Sequence, residues 1–155
     1  MRPRAYRDRV RSEVLTWIAV AAGGALGTGL RLAVDLLMPH AMSEVPWSTL
    51  VVNTLGSFAL GLLVGAVWAR VRPWVQAGLG PGLLGAFTTY SAIAVSVVAI
   101  WRGDLAVASP EQPAVAAPDA WTAVLVVAAS VLLGLVAAWL GLALGARAAR
   151  SGARS

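Results

Sequence analysis

The chain has 155 residues, of which 59% are hydrophobic and only 12% are charged, and its formal net charge is +5. Soluble domains usually carry about 25% charged residues, so this balance indicates an integral membrane protein. The chain contains no cysteine, which excludes disulfides and thiolate metal sites. Because the positive charge is carried by arginines at the ends of apolar stretches, we expect membrane anchoring rather than nucleic-acid binding.

Four apolar stretches reach the roughly 20 residues that a helix needs to span the hydrocarbon core. They take up most of the chain, leave no room for a soluble catalytic domain, and predict an all-α membrane protein with four transmembrane helices and no enzyme activity. We divide the chain into a basic tail at residues 1–13, a membrane domain at 14–146 and a second basic tail at 147–155. The predicted spans are Val14–Leu37, Trp47–Ala69, Gly78–Trp101 and Trp121–Ala146.

The first span follows five arginines and could be confused with a signal peptide. It is too long for a signal h-region and has no clear cleavage site, so we interpret it as a retained helix. Near its end lies Arg31. This arginine either extends its side chain to the interface or supplies a cation at a vestibule that attracts anions, and the sequence leaves both interpretations open.

The arginines are distributed unevenly across the membrane. Ten of the twelve fall in the two tails and in the short turn at Arg70–Pro73, which alternating spans place on one side. The positive-inside rule then predicts a multi-pass protein of the cell membrane with both termini in the cytoplasm. Tryptophans mark the predicted membrane edges, where the indole ring is buried and its N–H reaches water. These are Trp17, Trp47, Trp68, Trp101 and Trp121.

Polar residues inside the second and fourth spans are candidates for function because burying them in lipid is costly. In the second span, Asn53 and Thr49 are four residues apart and share a helix face. A lone membrane asparagine is more often a hydrogen-bonding contact between helices. The fourth span offers Ser130, whose hydroxyl can bond to its own backbone.

The third span combines glycines, a proline and hydroxyl side chains in GLGPGLLGAFTTYS (Gly78–Ser91). Pro81 lacks an N–H and the glycines around it weaken the helix, so we expect a broken helix with carbonyls that lack helical partners. Such backbone is tolerated at membrane depth only against protein or a water-filled cavity, where it commonly binds ions. The hydroxyls of Thr88, Thr89 and Ser91 would add ligands. A kinked helix whose hydroxyls bond to its own backbone is the alternative.

Glycines also recur at helix-packing spacing. The pairs Gly23–Gly27, Gly61–Gly65 and Gly141–Gly145 are each G-x-x-x-G. In lipid, this spacing allows close approach of two backbones, and we favour packing over a functional role for all three.

Three motifs give the chain a resemblance to a known family: GGALGTGLR (Gly23–Arg31), STLVVNTLGSFALG (Ser48–Gly61) and GLLGAFTTYS (Gly82–Ser91). In this order and in these helices, they resemble the four-helix fluoride channels of the Fluc/CrcB family. The resemblance implies an antiparallel dimer with two pores and a structural sodium ion. It also implies that the Gly85 and Thr88 main-chain carbonyls hold the sodium. The pore residues it implies are Thr49, Asn53, Tyr90, Ser91, Ser130 and Arg31.

The chain departs from the family pattern where two phenylalanines usually stand three residues apart. Here these positions are Tyr90, which can present a ring edge to an anion, and Ile93, which cannot. The uneven arginines also oppose insertion of one chain in both orientations. We therefore expect a fluoride-selective channel subunit that exports fluoride passively and pairs with a homologous chain of opposite orientation rather than with itself. The alternative is a non-conducting structural partner of a homologous channel chain.

Two other classes fit less well. A small multidrug exporter also has four helices but needs a membrane-embedded carboxylate, whereas Glu13 and Asp35 lie at or near helix ends. An enzyme is disfavoured because the single histidine, His40, lies in a loop with no partner evident in the sequence.

Overall fold

The computed structural model describes residues 4–38, 46–102 and 120–152, and these residues are almost entirely helical. The third apolar segment is built from several pieces rather than from one helix. Its first part runs from α3 (Pro73–Ala77) through a π-helical turn (Gly78–Leu84) into α4 (Gly85–Phe87). Helix α5 (Ser91–Arg102) follows after a short gap. The helices are α1 (Arg4–Leu37), α2 (Trp47–Ala66), α3 (Pro73–Ala77), the π-helical turn (Gly78–Leu84), α4 (Gly85–Phe87), α5 (Ser91–Arg102) and α6 (Ala120–Ser151).

Four helical segments are long and apolar enough to cross a membrane, as the sequence predicts. Helix α1 begins at Arg4, well before the predicted start at Val14, and α6 continues to Ser151. Arginine and alanine are good helix formers, so both helices extend beyond the apolar stretch into the basic tails. The prediction that His40 lies in a loop concerns a residue outside the described ranges.

Helices α2 and α6 pack side by side through the two glycine pairs that the sequence singles out. A Cβ at Gly61 would collide with the Ala138 carbonyl oxygen, and one at Gly141 would collide with the Phe58 carbonyl oxygen. Gly65 and Gly145 make equally close contacts further along. Residue numbers rise together on both helices, so α2 and α6 run parallel. The packing interpretation of these glycines is confirmed.

Helix α1 packs in the same way against the third segment. Cβ atoms at Gly23 and Gly27 would collide with the carbonyl oxygens of Gly78 and Leu83, respectively. These two elements also run parallel. The first and third segments, and the second and fourth, therefore form two pairs, which is the arrangement expected when four consecutive spans alternate in direction.

The irregular backbone of the third segment lies in two places. Pro81 is accommodated inside the π-helical turn, whose wider hydrogen-bonding pattern tolerates a residue without an N–H. The helix instead ends at Phe87, because Thr88 is extended with φ −77° and ψ 155°, and helical structure resumes at Ser91. Around Pro81 the backbone thus stays helical, and the interruption lies at residues 88–90.

Two contacts attach the ends of α2 to its neighbours. At its start, the Ser48 hydroxyl donates a 2.7 Å hydrogen bond to Asp35 Oδ1 on α1. Just beyond its end, the Trp68 ring packs against Gly80 in the π-helical turn, and Gln76 Nε2 donates to the Trp68 carbonyl at 2.7 Å. Trp17, Trp47 and Trp121 are largely exposed, as expected of an interfacial belt, whereas Trp68 is half-buried.

Candidate functional site

A groove of about 560 Å³ lies between α2, the third segment and α6. It brings together residues that are far apart in sequence: the middle of α2, the interruption at 88–90 and the middle of α6. Among the residues with site roles predicted from the sequence, six line it: Asn53, Gly85, Thr88, Thr89, Tyr90 and Ser130.

The Asn53 side chain is paired with the backbone of Thr89. Its Nδ2 donates to the Thr89 carbonyl and its Oδ1 accepts from the Thr89 N–H, both at 2.8 Å. In an uninterrupted α-helix the Thr89 N–H would donate to the Gly85 carbonyl. The amide therefore replaces a helical hydrogen bond at the interruption, and the Gly85 carbonyl loses its helical donor.

Gly56, one turn after Asn53, provides the space into which the interruption packs. A Cβ at this position would collide with Thr88 Cγ2 and would lie 3.3 Å from Phe87 Cδ1. Asn53 and Gly56 thus form one face of α2 that contacts three successive residues, from Phe87 to Thr89.

The hydroxyls of the third segment are engaged locally. Thr88 Oγ1 donates to the Leu84 carbonyl at 2.9 Å, as the alternative of a self-bonded hydroxyl predicts for this residue. Thr89 Oγ1 lies 3.0 Å from Ser91 Oγ and accepts from the Ala92 N–H at 3.3 Å, which caps the first turn of α5. Thr89 therefore links the interruption to α2 through its backbone and to α5 through its hydroxyl.

The two positions that depart from the family pattern have opposite environments. Tyr90 is 73% exposed at the edge of the groove, whereas Ile93 is only 3% exposed and is held inside the chain. The tyrosine ring is thus available to a second molecule or to a solute in the groove. The isoleucine fills space in the groove wall.

The α6 side of the groove contributes one hydroxyl among apolar side chains. Ser130 is buried at 8% exposure and lines the groove together with Val127 and Val131. Gly134, one turn further, leaves the wall open there, since a Cβ would meet only Ser57 Oγ at 3.4 Å.

Three predicted site residues do not line this groove: Thr49, Ser91 and Arg31. Thr49 is buried at 6% exposure near the start of α2. Ser91 is exposed and contacts the groove only through Thr89. Arg31 is half-buried on α1, a helix that contributes no residue to the groove wall.

Sequence reasoning missed Gly56 as a site residue, and it named Thr89 for its hydroxyl but not for its backbone bonds to Asn53. The capping role of Thr89 could have been found because its hydroxyl lies two residues before a new helix. Gly56 could have been found because it follows Asn53 by one turn on the same helix face. Neither signal, however, indicates that α2 contacts the interruption.

The fold and the groove define a polytopic helical membrane protein whose one described groove combines amide, hydroxyl and aromatic groups with interrupted backbone. Comparison with known proteins assigns it to a family. The model of the family described as CrcB-like protein, Camphor Resistance (CrcB), matches residues 18–142. The chain therefore belongs to the CrcB family.

Curated relatives cover most of the chain. "Fluoride-specific ion channel FluC 1" of Symbiobacterium thermophilum is 39% identical over 135 residues, which are 84% of this chain and 98% of the relative. "Fluoride-specific ion channel FluC 2" of Bacillus licheniformis is 37% identical over 131 residues, which are 84% of this chain and 86% of the relative. "Fluoride-specific ion channel FluC" of Thermus thermophilus is 36% identical over 135 residues, which are 83% of this chain and 94% of the relative.

Proposed function

We propose that this chain is a subunit of a fluoride-selective channel that lets fluoride leave the cytoplasm passively. The observation that carries the proposal is the groove, which is lined by Asn53, Tyr90 and Ser130 from its three sides, combined with relatives named as fluoride channels. Fluoride is small and strongly hydrated, so a pore must replace its water with donors. Amide and hydroxyl groups and the positive edge of an aromatic ring are such donors.

A second chain completes the pore in this proposal. Tyr90 is exposed at the groove edge, and the α1 and α6 surfaces carry many exposed large apolar side chains that lipid or a partner must cover. The partner is a homologous chain of opposite orientation, and the two grooves give two pores. In that assembly, Ser91, Thr49 and Arg31 serve the ends of the pathway rather than its centre.

A structural sodium ion fits the interruption. Hard monovalent cations are bound by the carbonyl oxygens of discontinuous membrane helices. Gly85 has lost its helical donor because the Thr89 N–H is engaged by Asn53, and Thr88 is extended rather than helical. We assign the main-chain carbonyls of Gly85 and Thr88 as its ligands. Bound there, the cation would supply positive charge that satisfies these carbonyl oxygens in place of backbone N–H donors.

The arginine distribution sets the orientation. The parallel pairing of the helices brings the start of α1, the turn after α2 and the end of α6 to one end of the bundle. The arginines described at that end are exposed, and the positive-inside rule assigns them to the cytoplasm. A chain with this bias inserts in one orientation, which favours a heterodimer over a homodimer. The exposed arginines at this end are Arg7, Arg9, Arg11, Arg70, Arg72, Arg147 and Arg150.

Orientation is measured with Ala5→Cys, which keeps every arginine in a chain that contains no other cysteine. We expect a membrane-impermeant thiol reagent to label this residue from the cytoplasmic face only. Comparable labelling from both faces would contradict a fixed orientation and favour a homodimer.

Channel activity is tested by fluoride efflux from liposomes that contain this chain alone or together with its homologue from the same genome. We expect no efflux from the chain alone and efflux from the pair. Efflux from the chain alone would show that two copies suffice. A non-conducting structural partner is the second candidate, favoured by the buried Ile93 where the family has an aromatic ring. In that case the pair would conduct but substitutions in this chain's groove would leave its rate unchanged.

A further inference from the structure

We propose that Asn53, besides lining the groove, is a positioning residue that holds the helix interruption in place. The geometry points to this role because both functions of the amide, donor and acceptor, are directed at one backbone residue. The two 2.8 Å bonds to Thr89 form a closed pair, as in an antiparallel ladder. An amide has two N–H groups and two acceptor lone pairs, and this pair uses one of each.

Gly56 supplies independent evidence for the same role. It has no polar side chain and cannot bind an ion through one, yet its missing Cβ leaves the space that Thr88 Cγ2 and the Phe87 ring fill. Asn53 therefore holds the interruption by hydrogen bonds, and Gly56 holds it by close packing. The two residues are one helical turn apart and act on adjacent residues of the third segment.

The consequence reaches the groove through Thr89. Its N–H is held by Asn53 and its Oγ1 caps α5, so the direction of α5 after the interruption depends on this residue. Tyr90 follows directly and Gly85 lies one turn before. Displacing Thr89 would return the Gly85 carbonyl to a helical donor and would move the Tyr90 ring relative to the groove.

The test is the hydrogen exchange rate of the Thr89 amide, measured by NMR on the full chain labelled with 15N-threonine and free of fluoride. We assign the signal with Thr89→Ser. In Asn53→Ala, we expect Thr89 to exchange about tenfold faster, the effect of losing one hydrogen bond of ordinary strength. Thr88, whose N–H donates to the Leu84 carbonyl at 3.0 Å, serves as the internal control and keeps its rate.

Asn53→Asp separates the two bonds and provides a second variant if Asn53→Ala does not fold. A carboxylate can still accept from the Thr89 N–H but cannot donate to the Thr89 carbonyl. We expect Thr89 to exchange more slowly in Asn53→Asp than in Asn53→Ala. If the Thr89 amide exchanges at the wild-type rate in Asn53→Ala, or at the wild-type rate in Gly56→Ala, the proposal is overturned.

Gly134→Ala is the matched control for Gly56→Ala, because both glycines line the groove and only Gly56 contacts the interruption. We expect Gly56→Ala to accelerate Thr89 exchange and Gly134→Ala to leave it unchanged. Acceleration by both variants to the same extent would also contradict the proposal, since it would indicate a general loosening of the groove.

That the position of the interruption affects ion passage rests on the proposed function. It is measured separately, as fluoride efflux with the homologous chain present. We expect Asn53→Ala and Gly56→Ala to lower efflux in parallel. Loss of efflux in Asn53→Ala with full efflux in Gly56→Ala would show that ion passage does not depend on how the interruption is held, and would overturn the positioning role. Failure of the wild-type pair to conduct fluoride would refute the proposed function but would not alter the exchange result.

Discussion

Helix α2 has two glycine contacts that look alike in the sequence and differ in what they accomplish. Gly61 meets the backbone of α6, a regular helix, and repeats the same contact one turn later at Gly65. Gly56 meets side chains at an interruption of the third segment, and the residue one turn before it is Asn53. The same missing Cβ therefore serves close helix packing on one face of α2 and holds irregular backbone on the other.

The difference lies in the polar groups. Against a regular helix, backbone N–H and C=O groups are already paired, so small residues and close approach suffice. Against the interruption, the backbone of Thr89 needs partners from outside its own segment, and the Asn53 amide supplies them. A glycine with a neighbouring amide thus marks the functional face, whereas a repeated glycine pair marks the structural face.

The largest effect is expected on the structural face. Gly61→Leu would force α2 and α6 apart, because even a Cβ collides with the Ala138 carbonyl oxygen. Overpacking usually costs about 1–3 kcal/mol and more where backbone must move, so we expect little folded protein by size-exclusion chromatography in detergent. Gly24→Leu is the control, since a Cβ there meets nothing within 4 Å. Equal losses in both variants would contradict the packing assignment.

The second-largest effect on stability is expected when sodium is removed. If the Gly85 and Thr88 carbonyls bind sodium, replacing sodium by N-methylglucamine should lower the melting temperature of the purified protein. A ligand at 100 times its Kd stabilises by about 2.7 kcal/mol, which corresponds to several degrees.

Gly85→Ala sharpens the sodium test. A Cβ there would lie 3.7 Å from the Gly80 carbonyl oxygen, an ordinary contact, and the carbonyl of residue 85 remains. We therefore expect Gly85→Ala to retain the sodium effect. A melting temperature that is the same in both salts for the wild-type chain would remove the sodium assignment.

A change of about tenfold is expected at the exposed aromatic ring. Tyr90→Leu removes the ring edge and should lower fluoride efflux by about a factor of ten, the equivalent of about 1.4 kcal/mol. Tyr90→Phe keeps the edge and should conduct like the wild-type chain. If Tyr90→Phe lost efflux as Tyr90→Leu does, the hydroxyl rather than the ring would be the important group.

The smallest effect concerns the contact between α1 and α2. Ser48→Ala removes the 2.7 Å hydrogen bond to Asp35 and should destabilise the protein by about 1 kcal/mol in thermal unfolding. Ser151→Ala is the control, because Ser151 is exposed and bonds only to carbonyls of its own helix, those of Arg147 and Ala148. We expect its effect to stay below about 0.5 kcal/mol. Equal effects of the two substitutions would mean that the Asp35 contact contributes nothing.

Much of the architecture follows from one-dimensional patterns. Apolar length locates the four spans, and glycine spacing locates the packing faces, because both depend on residues adjacent along one helix. Which helices pair depends on contacts between distant segments, so the pairing of Gly61 with Ala138 could not be predicted.

The site could be predicted only in part, for the same reason. Asn53 and Tyr90 stand out as polar or aromatic residues in apolar helices, but the bond between Asn53 and Thr89 joins residues 36 apart in sequence. The exact position of the interruption could not be predicted either. Pro81 is the strongest helix breaker in the segment, yet a π-helical turn accommodates it, and the helix ends instead where Asn53 offers the backbone an alternative partner.

Fluoride passage through the groove is tested most directly in liposomes that hold the chain and its homologue and are loaded with equal concentrations of fluoride and chloride. Two ion-selective electrodes follow both anions after a potassium ionophore is added to balance charge. We predict that fluoride leaves while chloride is retained, and that Tyr90→Leu in this chain slows the fluoride signal. Equal release of both anions, or retention of both, would contradict a fluoride-selective channel.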